Sequence, residues 1–576
     1  MKKILILEKP AADLRSHYDE VFSFCENPAH TFPENYLGHD EVDALYLKVY
    51  TEVCSQLSRE LPGVPIVYKE VRLLWCFKKE LFSFLYWTVL KWEIVRRVFL
   101  KNPGAVFYIE LGNGNLDAAR VGDILKLGSV AKLPTIEWLR TDARIEERDA
   151  RHVRRYGASI WPKTLSFLRS EKVHCAFFSD PARSESVIQN LHPARCVIYS
   201  NAAAPRMLLR SLRNGASFFQ SVVSRKSQKK YRELIRKLTD ALSQQRLFLD
   251  VVLGGLSMQS FVDWKMPRFF EELLPHLLSD IDAMECFFKK VPNLRSALMD
   301  EDVDPCKNAF AQLARIHRVK TFVELHGAIG APHGLIPLTA DQMFVWGKAQ
   351  KEKLIRWGCP ADRIVTSGCS RYEHYQKLDY VKVRREVCQD LKLDPAKKVV
   401  LLVFMPLSRW SAWYESRVRR MIAEMLNAAR ELSERSDVQF VIKLHPAETK
   451  ESYYRDWIAL NQLTGRAVVV RRYDPLLLGK AVDLLIVYGS TYSVDGFALD
   501  KPVICVDDKW NPLLEEFRPY KVFLYADTRE QIVSMADHIL REGFSRPPLW
   551  ERAKQECLNQ DGEAPAAFIA EQLSHV

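Results

Sequence analysis

Three clusters of residues in the second half of the chain have types and spacing suited to chemistry on an anionic substrate. The first is Leu325-His326-Gly327, directly after the apolar run KTFVEL. Gly327 permits a sharp turn and close approach of a ligand. His326 at a strand end can act as a base when neutral or bind phosphate when protonated. The second is Val441-Ile442-Lys443-Leu444-His445-Pro446. Pro446 forbids further strand, leaving His445 at the sheet edge, with Lys443 two residues back on the same side. The bland alternative for this cluster is a plain strand terminator. The third is Gly489-Ser490-Thr491-Tyr492-Ser493-Val494-Asp495, between the apolar strand LLIV and a helix predicted over Val494 to Leu499. Glycine and hydroxyls at a helix start supply donors for phosphate. An ordinary N-cap accounts for one such hydroxyl, not three. Asp495 in the first turn is placed either for ribose hydroxyls or simply to complement the helix dipole. Arg371, in SGCSRY, can reach a phosphate or pair with a surface acid.

Weaker signals carry less. Gly112-x-Gly114 follows a strand but lacks the third glycine of a dinucleotide fingerprint, position 117 being Asp. Asp507-Asp508 resembles a metal pair only superficially, because adjacent carboxylates on a strand point apart. No His/Asp/Glu set has metal-ligand spacing.

The elements that must position these residues form a strand–helix alternation. Lys2 to Lys9, Val64 to Tyr68, Ala105 to Leu111, Val173 to Phe178 and Arg195 to Ser200 are predicted strands, with helices over Asp40 to Leu61 and Asp117 to Leu127. Ser217 to Leu298 is mostly helical, with a basic stretch at Lys226 to Lys237 that reads as a solvated face or, less simply, as an anion or membrane patch. The alternation returns with KTFVEL, MFVWG and RIVTSG, and starts afresh at Lys397 to Phe404, Val438 to Leu444, Ala467 to Arg471, Leu484 to Val487 and Val503 to Val506. Such alternation indicates parallel sheets covered on both faces. The predicted fold class is α/β, with two doubly wound domains: residues 1–385, carrying a helical insertion at about 217–298, and residues 386–545, followed by a helical tail at 546–576. Ligands in such sheets bind beyond the carboxyl ends of the strands, where all three clusters fall.

The totals set outer limits. A chain of 576 residues needs more than one core. With 48% hydrophobic and 27% charged residues, wholesale disorder is excluded. A net charge of +11 over this length suits anionic ligands but is not the density of a dedicated nucleic-acid binder, and no nucleic-acid motif is present. Twelve cysteines without a C-x-x-C pair point to buried thiols in a reducing compartment. The N-terminal apolar run, Ile4 to Leu7, is too short for an export signal, which implies a cytoplasmic chain. Residues 78–101 contain the most membrane-like stretch, but Lys91, Glu93, Arg96 and Arg97 interrupt it. It reads as a core helix or as an amphipathic contact with the inner membrane face.

Taken in order, His326-Gly327, WGKAQKEKLIRWGCPADRIVTSGCSRY, Leu444-His445-Pro446 and GSTYSVDGFALDKPV resemble the GT-B glycosyltransferases. In particular they are similar to CDP-glycerol glycerophosphotransferases and to capsule Kdo transferases and GT-B sialyltransferases, over about residues 320–545. The resemblance implies two Rossmann-like domains facing a cleft, with no cofactor and no bound metal needed for chemistry. Carried over, His445 contacts the donor phosphate, Ser490, Thr491 and Ser493 bind it, Asp495 binds ribose or the donor, and His326 is the base on the acceptor; Gly327, Lys443 and Gly489, at the same strand ends, are counted with the donor site. The sialyltransferase and Kdo branches instead use an N-terminal acid, for which Glu110, Asp180 and Asp250 are candidates. Four functions stay open: sugar transfer from a nucleotide donor to a glycan or lipid-linked surface acceptor, polyol-phosphate transfer from a CDP-polyol, a UDP-N-acetylglucosamine 2-epimerase-like reaction, and an inactive binding scaffold.

Overall fold

A computed structural model describes residues 2–7, 17–23, 37, 39–58, 66–110, 119, 121–127, 134–139, 164–167, 170–179, 181–201, 205–221, 231–245, 248, 250–406, 412–446, 448–506, 512–559 and 564–576. The chain is α/β, and its strands fall into three main sheets.

The first sheet joins β1 (Lys3–Leu7), β2 (Glu20–Ser23), β3 (Val106–Glu110) and β4 (Ile136–Leu139) in the order β2-β1-β3-β4, all parallel. Helices α1 (His39–Ser58) and α2 (Lys78–Lys101) pack against each other beside it. Most of the apolar side chains of α2 are buried, among them Leu81, Phe84, Leu85, Val89, Trp92 and Val95. The stretch 78–101 is therefore a core helix. Among the described residues, no helix is long and apolar enough to cross a membrane. Among the described residues, Val67–Tyr68 pairs only with Val71–Arg72 in a small hairpin and belongs to no parallel sheet.

The second sheet holds β5 (Thr164–Phe167), β6 (Cys175–Phe178), β7 (Cys196–Ser200), β8 (Ser217–Ser221), β9 (Ser296–Met299), β10 (Lys320–Glu324), β11 (Gln342–Val345) and β12 (Ile364–Thr366). Its order is β12-β11-β10-β9-β6-β7-β8-β5, and only β5 runs antiparallel. Chain order runs outward from β6 in one direction and from β9 in the other, so the switch point lies between β6 and β9. The predicted helical stretch at 217–298 is the crossover between these halves, and strands β8 and β9 occupy its two ends. Helices α3 (Pro181–Asn190), α4 (Pro305–Ile316) and α5 (Lys348–Arg356) follow β6, β9 and β11. Asp304 caps α4, accepting from the amides of Cys306 and Lys307, and Pro305 sits at its first position.

The third sheet comprises β13 (Lys398–Val403), β14 (Val438–Lys443), β15 (Ala467–Val470), β16 (Leu484–Val487), β17 (Val503–Val506) and β18 (Leu524–Ala526), all parallel in the order β15-β14-β13-β16-β17-β18. This is Rossmann order, with the switch point between β13 and β16. These strands are buried on both faces, which explains their unbroken apolar runs. Helix α6 (Tyr492–Ala498) follows β16. The chain ends in α7 (Trp550–Leu558) and α8 (Pro565–Ser574). Both return to the second sheet: a Cβ on Gly347 would lie 2.4 Å from the Glu556 carbonyl oxygen, and Ser296 Oγ donates to the Leu573 carbonyl at 2.8 Å. Two large doubly wound sheets thus make up the body of the described chain, with the smaller first sheet as an addition.

Candidate functional site between the two large sheets

Strand β10 ends in a turn fixed at two points. Trp346 Nε1 donates to the Leu325 carbonyl at 2.8 Å, and the next residue, His326, bonds through Nδ1 to the Asp300 carbonyl oxygen at 2.6 Å. A carbonyl oxygen only accepts, so Nδ1 carries the proton and Nε2 is left with its lone pair. Burial, with the nearby Arg183 charge, pushes the His326 pKa below its usual value, partly opposed by Asp300. The lowered pKa favours the neutral ring at pH 7, with Nε2 as its proton acceptor, and His326 is one of the residues that line the cleft.

Strand β16 ends in the second turn. Gly489 has φ +59°, and a Cβ there would lie 2.0 Å from Met405 Sδ, at the end of β13. Both facts call for glycine, and the closeness of Met405 sets this residue at the switch point between β13 and β16. Ser490 Oγ accepts from the Tyr492 amide at 3.2 Å. Thr491 Oγ1 accepts from the Ala328 amide at 3.1 Å and would lie 3.2 Å from a Cβ on Gly327. The His-Gly turn of one sheet and the Gly-Ser-Thr turn of the other thus touch. His445 follows β14, the other neighbour of β13, and is half-buried, its carbonyl accepting from the Glu448 amide at 2.9 Å.

Other predicted donor residues face elsewhere. Ser493 is buried, and its Oγ accepts from Cys505 Sγ at 3.4 Å, inside the third sheet. Lys443 is buried and donates to the carbonyls of Leu444 and Arg471, each at 3.0 Å, so it stitches β14 to β15 instead of following His445 to the edge. Asp495 is buried and accepts from Tyr372 Oη at 2.7 Å and Arg371 Nη2 at 3.3 Å. Burial raises its pKa, with Arg371 opposing. In this arrangement Asp495 joins the two sheets.

The candidate N-terminal acids are scattered. Glu110 ends β3, in the small first sheet. Asp180 lies outside the described residues, as do Gly112, Gly114, Asp507 and Asp508. Asp250, predicted at a strand end, is exposed and precedes the short strand Val252–Leu253.

Sequence reasoning missed a group at the switch point of the second sheet. Asp300 follows β9; its carboxylate takes Arg183 Nη1 at 2.9 Å on one oxygen and Lys307 Nζ on the other. Burial opposes its ionisation, but Lys307 and Arg183 outweigh this and hold its pKa below the ordinary carboxylate value. Glu324, the last residue of β10, is buried and accepts from Ser370 Oγ at 2.5 Å; burial raises its pKa. Arg183, Asp300, Glu324, His326 and Arg371 line one narrow cleft. The available signal was the acidic run DEDVDP directly after the short apolar SALM.

No protein-family model matches the chain, and no curated protein matches it. Solved structures similar to it include the UDP-GlcNAc 2-epimerase of Methanocaldococcus jannaschii, at 10% identity over 70% of this chain and 100% of that one, TM-score 0.46. The UDP-GlcNAc 2-epimerase from Neisseria meningitidis bound to UDP-GlcNAc is 13% identical over 70% and 99%, TM-score 0.45. Anabaena HepE in complex with UDP and glucose is 12% identical over 70% and 100%, TM-score 0.41. Likenesses this distant carry no functional argument; the fold rests on the strand order given above.

Proposed function

We propose that the chain is a nucleotide-sugar-dependent glycosyltransferase whose donor nucleotide sits at the Gly489 turn and whose acceptor approaches His326. The observation that carries this reading is the contact between the two turns: Thr491 Oγ1 lies 3.1 Å from the Ala328 amide, two residues from the neutral imidazole. His326 Nε2 takes the proton of the acceptor hydroxyl as its oxygen bonds to the sugar C1. The bond from C1 to the nucleotide phosphate breaks, and the leaving phosphate is met by backbone amides at the start of α6, by the Ser490 and Thr491 hydroxyls and by His445. Preorganised donors of this kind each contribute on the order of 10²–10³ in rate. The acceptor in this reading is a cell-surface glycan or its lipid-linked precursor, as the motif resemblance suggests.

Polyol-phosphate transfer from a CDP-polyol would employ the same base and phosphate turn, and the His-Gly pairing at 326–327 favours keeping it as the second reading. A thermal-shift panel of CMP, CDP, UDP and NAD, followed by mass spectrometry of nucleotide-sugar and CDP-polyol hydrolysis, tests both. Stabilisation by a pyrimidine nucleotide and release of free sugar support the first reading, and polyol phosphate the second. Stabilisation by NAD alone rejects both.

A further inference from the structure

Among the described residues, the cleft at the switch point of the second sheet is lined by that sheet's own elements: Ser179 after β6, the first turn of α3, the ends of β9 and β10, and Arg371 after β12. Among the described residues, none of the third sheet lines it. On the reading above, the nucleotide belongs to the third sheet, so this cleft needs a different occupant.

Two guanidiniums frame it. Arg183 is 41% exposed and bonds, among the described residues, through one N–H to Asp300. Arg371 is largely buried and gives Nη2 to Asp495. A guanidinium has five N–H donors in a fork that matches the two oxygens of a carboxylate or phosphate. Among the described residues, the carboxylates do not satisfy that capacity. Asp300 is shared with Lys307, and Glu324 is buried and bonded to Ser370. Ser179 and Ser184 line the same wall; their hydroxyls bond each other at 2.8 Å, which leaves one hydroxyl hydrogen of the pair for a ligand among the described residues. In doubly wound sheets the crevice at the switch point is where ligands bind.

We propose that Arg183 and Arg371 form an oxyanion subsite, and that the acceptor substrate carries a carboxylate or phosphate bound there beside His326. The inference deepens the glycosyltransferase reading and rests on it for the word acceptor. The subsite itself can be tested independently.

Inorganic phosphate and acetate are titrated calorimetrically into the full-length protein, alone and with whichever of CMP, CDP or UDP binds. One of the two anions binds saturably, and its binding survives saturating nucleotide. Arg183→Gln weakens it about tenfold or more, as expected for loss of a charge-assisted contact. Arg183→Lys recovers part of it, and the nucleotide response of Arg183→Gln matches wild type, showing that the variant is folded. Saturation by phosphate or by acetate names the class of group. Binding of neither anion, abolition by nucleotide, or wild-type affinity in Arg183→Gln overturns the proposal; the last result would leave Arg183 as a residue that only positions Asp300. Arg183-dependent anion binding in a protein that binds no nucleotide would keep the subsite and reject the glycosyltransferase reading.

Discussion

Arg183 Nη1 and Asp300 Oδ2 meet at 2.9 Å across the seam between β6 and β9, where the strand order of the second sheet reverses. Asp300 uses its side chain for this contact and its main-chain carbonyl to orient His326. One residue therefore couples the cation at the seam to the tautomer of the candidate base.

Replacing His326 by Gln removes the proton acceptor while keeping a side chain that can donate to Asp300. Turnover should fall by about 10²–10⁴, with donor binding little changed. Because the base works when neutral and its pKa lies below the usual 6.5, the rate should rise with pH along a limb centred below that value. Arg183→Gln removes a charge that disfavours imidazolium, so the limb should move to higher pH. A pH–rate profile of kcat/KM checks both; an unmoved limb would detach Arg183 from the base.

Gly489→Ala places a side chain where φ is positive and Met405 is in the way. Left-handed backbone at a non-glycine residue costs about 1–3 kcal/mol, and displacement of the turn should weaken nucleotide binding as well. Chemical denaturation and nucleotide titration of the variant measure the two effects separately.

Lys353 Nζ, fully buried, donates to the Ile329 carbonyl at 2.7 Å and to Glu516 Oε2 at 3.1 Å, tying the loop after His326 to the turn of 3-10 helix Pro512–Tyr520. Lys353→Met strands the buried Glu516 carboxylate and should destabilise the protein by about 3–5 kcal/mol. The double variant with Glu516→Leu should recover most of that loss in urea unfolding. Equal instability of the single and double variants would contradict the pairing.

Glu80, near the start of α2, has a carboxylate oxygen, Oε2, without a hydrogen-bond partner among the described residues, and burial raises its pKa to about 7. The folded value lies above the unfolded one, so its contribution to stability is fully present below about pH 4.5 and is lost as pH rises through about 7. Glu80→Gln should flatten the fall of Tm over that window. Parallel Tm–pH curves for wild type and variant would show that Glu80 does not titrate there.

Five of the third sheet's six strands were legible because each is a largely apolar run bounded by turn residues, as in KKVVLLVF, LLIV and VICV; the edge strand Leu524–Ala526, three residues long, was not. Its two site turns followed from Gly489 and Pro446. Helical phase was the harder part. Thr491 and Asp495, four apart, share a face and both reach the second sheet, whereas Ser493 lies between them and turns inward to Cys505. Residue type alone made all three look like donor ligands. Strand β9 was missed because SALM is short and follows a long helical stretch, and with it went Asp300. Arg183 stood in a helix whose sequence, PARSESVIQN, gives no sign that it opens onto a seam.

Hydrogen–deuterium exchange with and without CMP, CDP or UDP bears most directly on the joint site. Added nucleotide should slow exchange at the amides of 489–493 and, through the Thr491–Ala328 contact, at those of 327 and 328, with little change in the first sheet. Protection confined to regions away from both turns, or no protection by any of the three, would contradict a nucleotide held where the two large sheets meet.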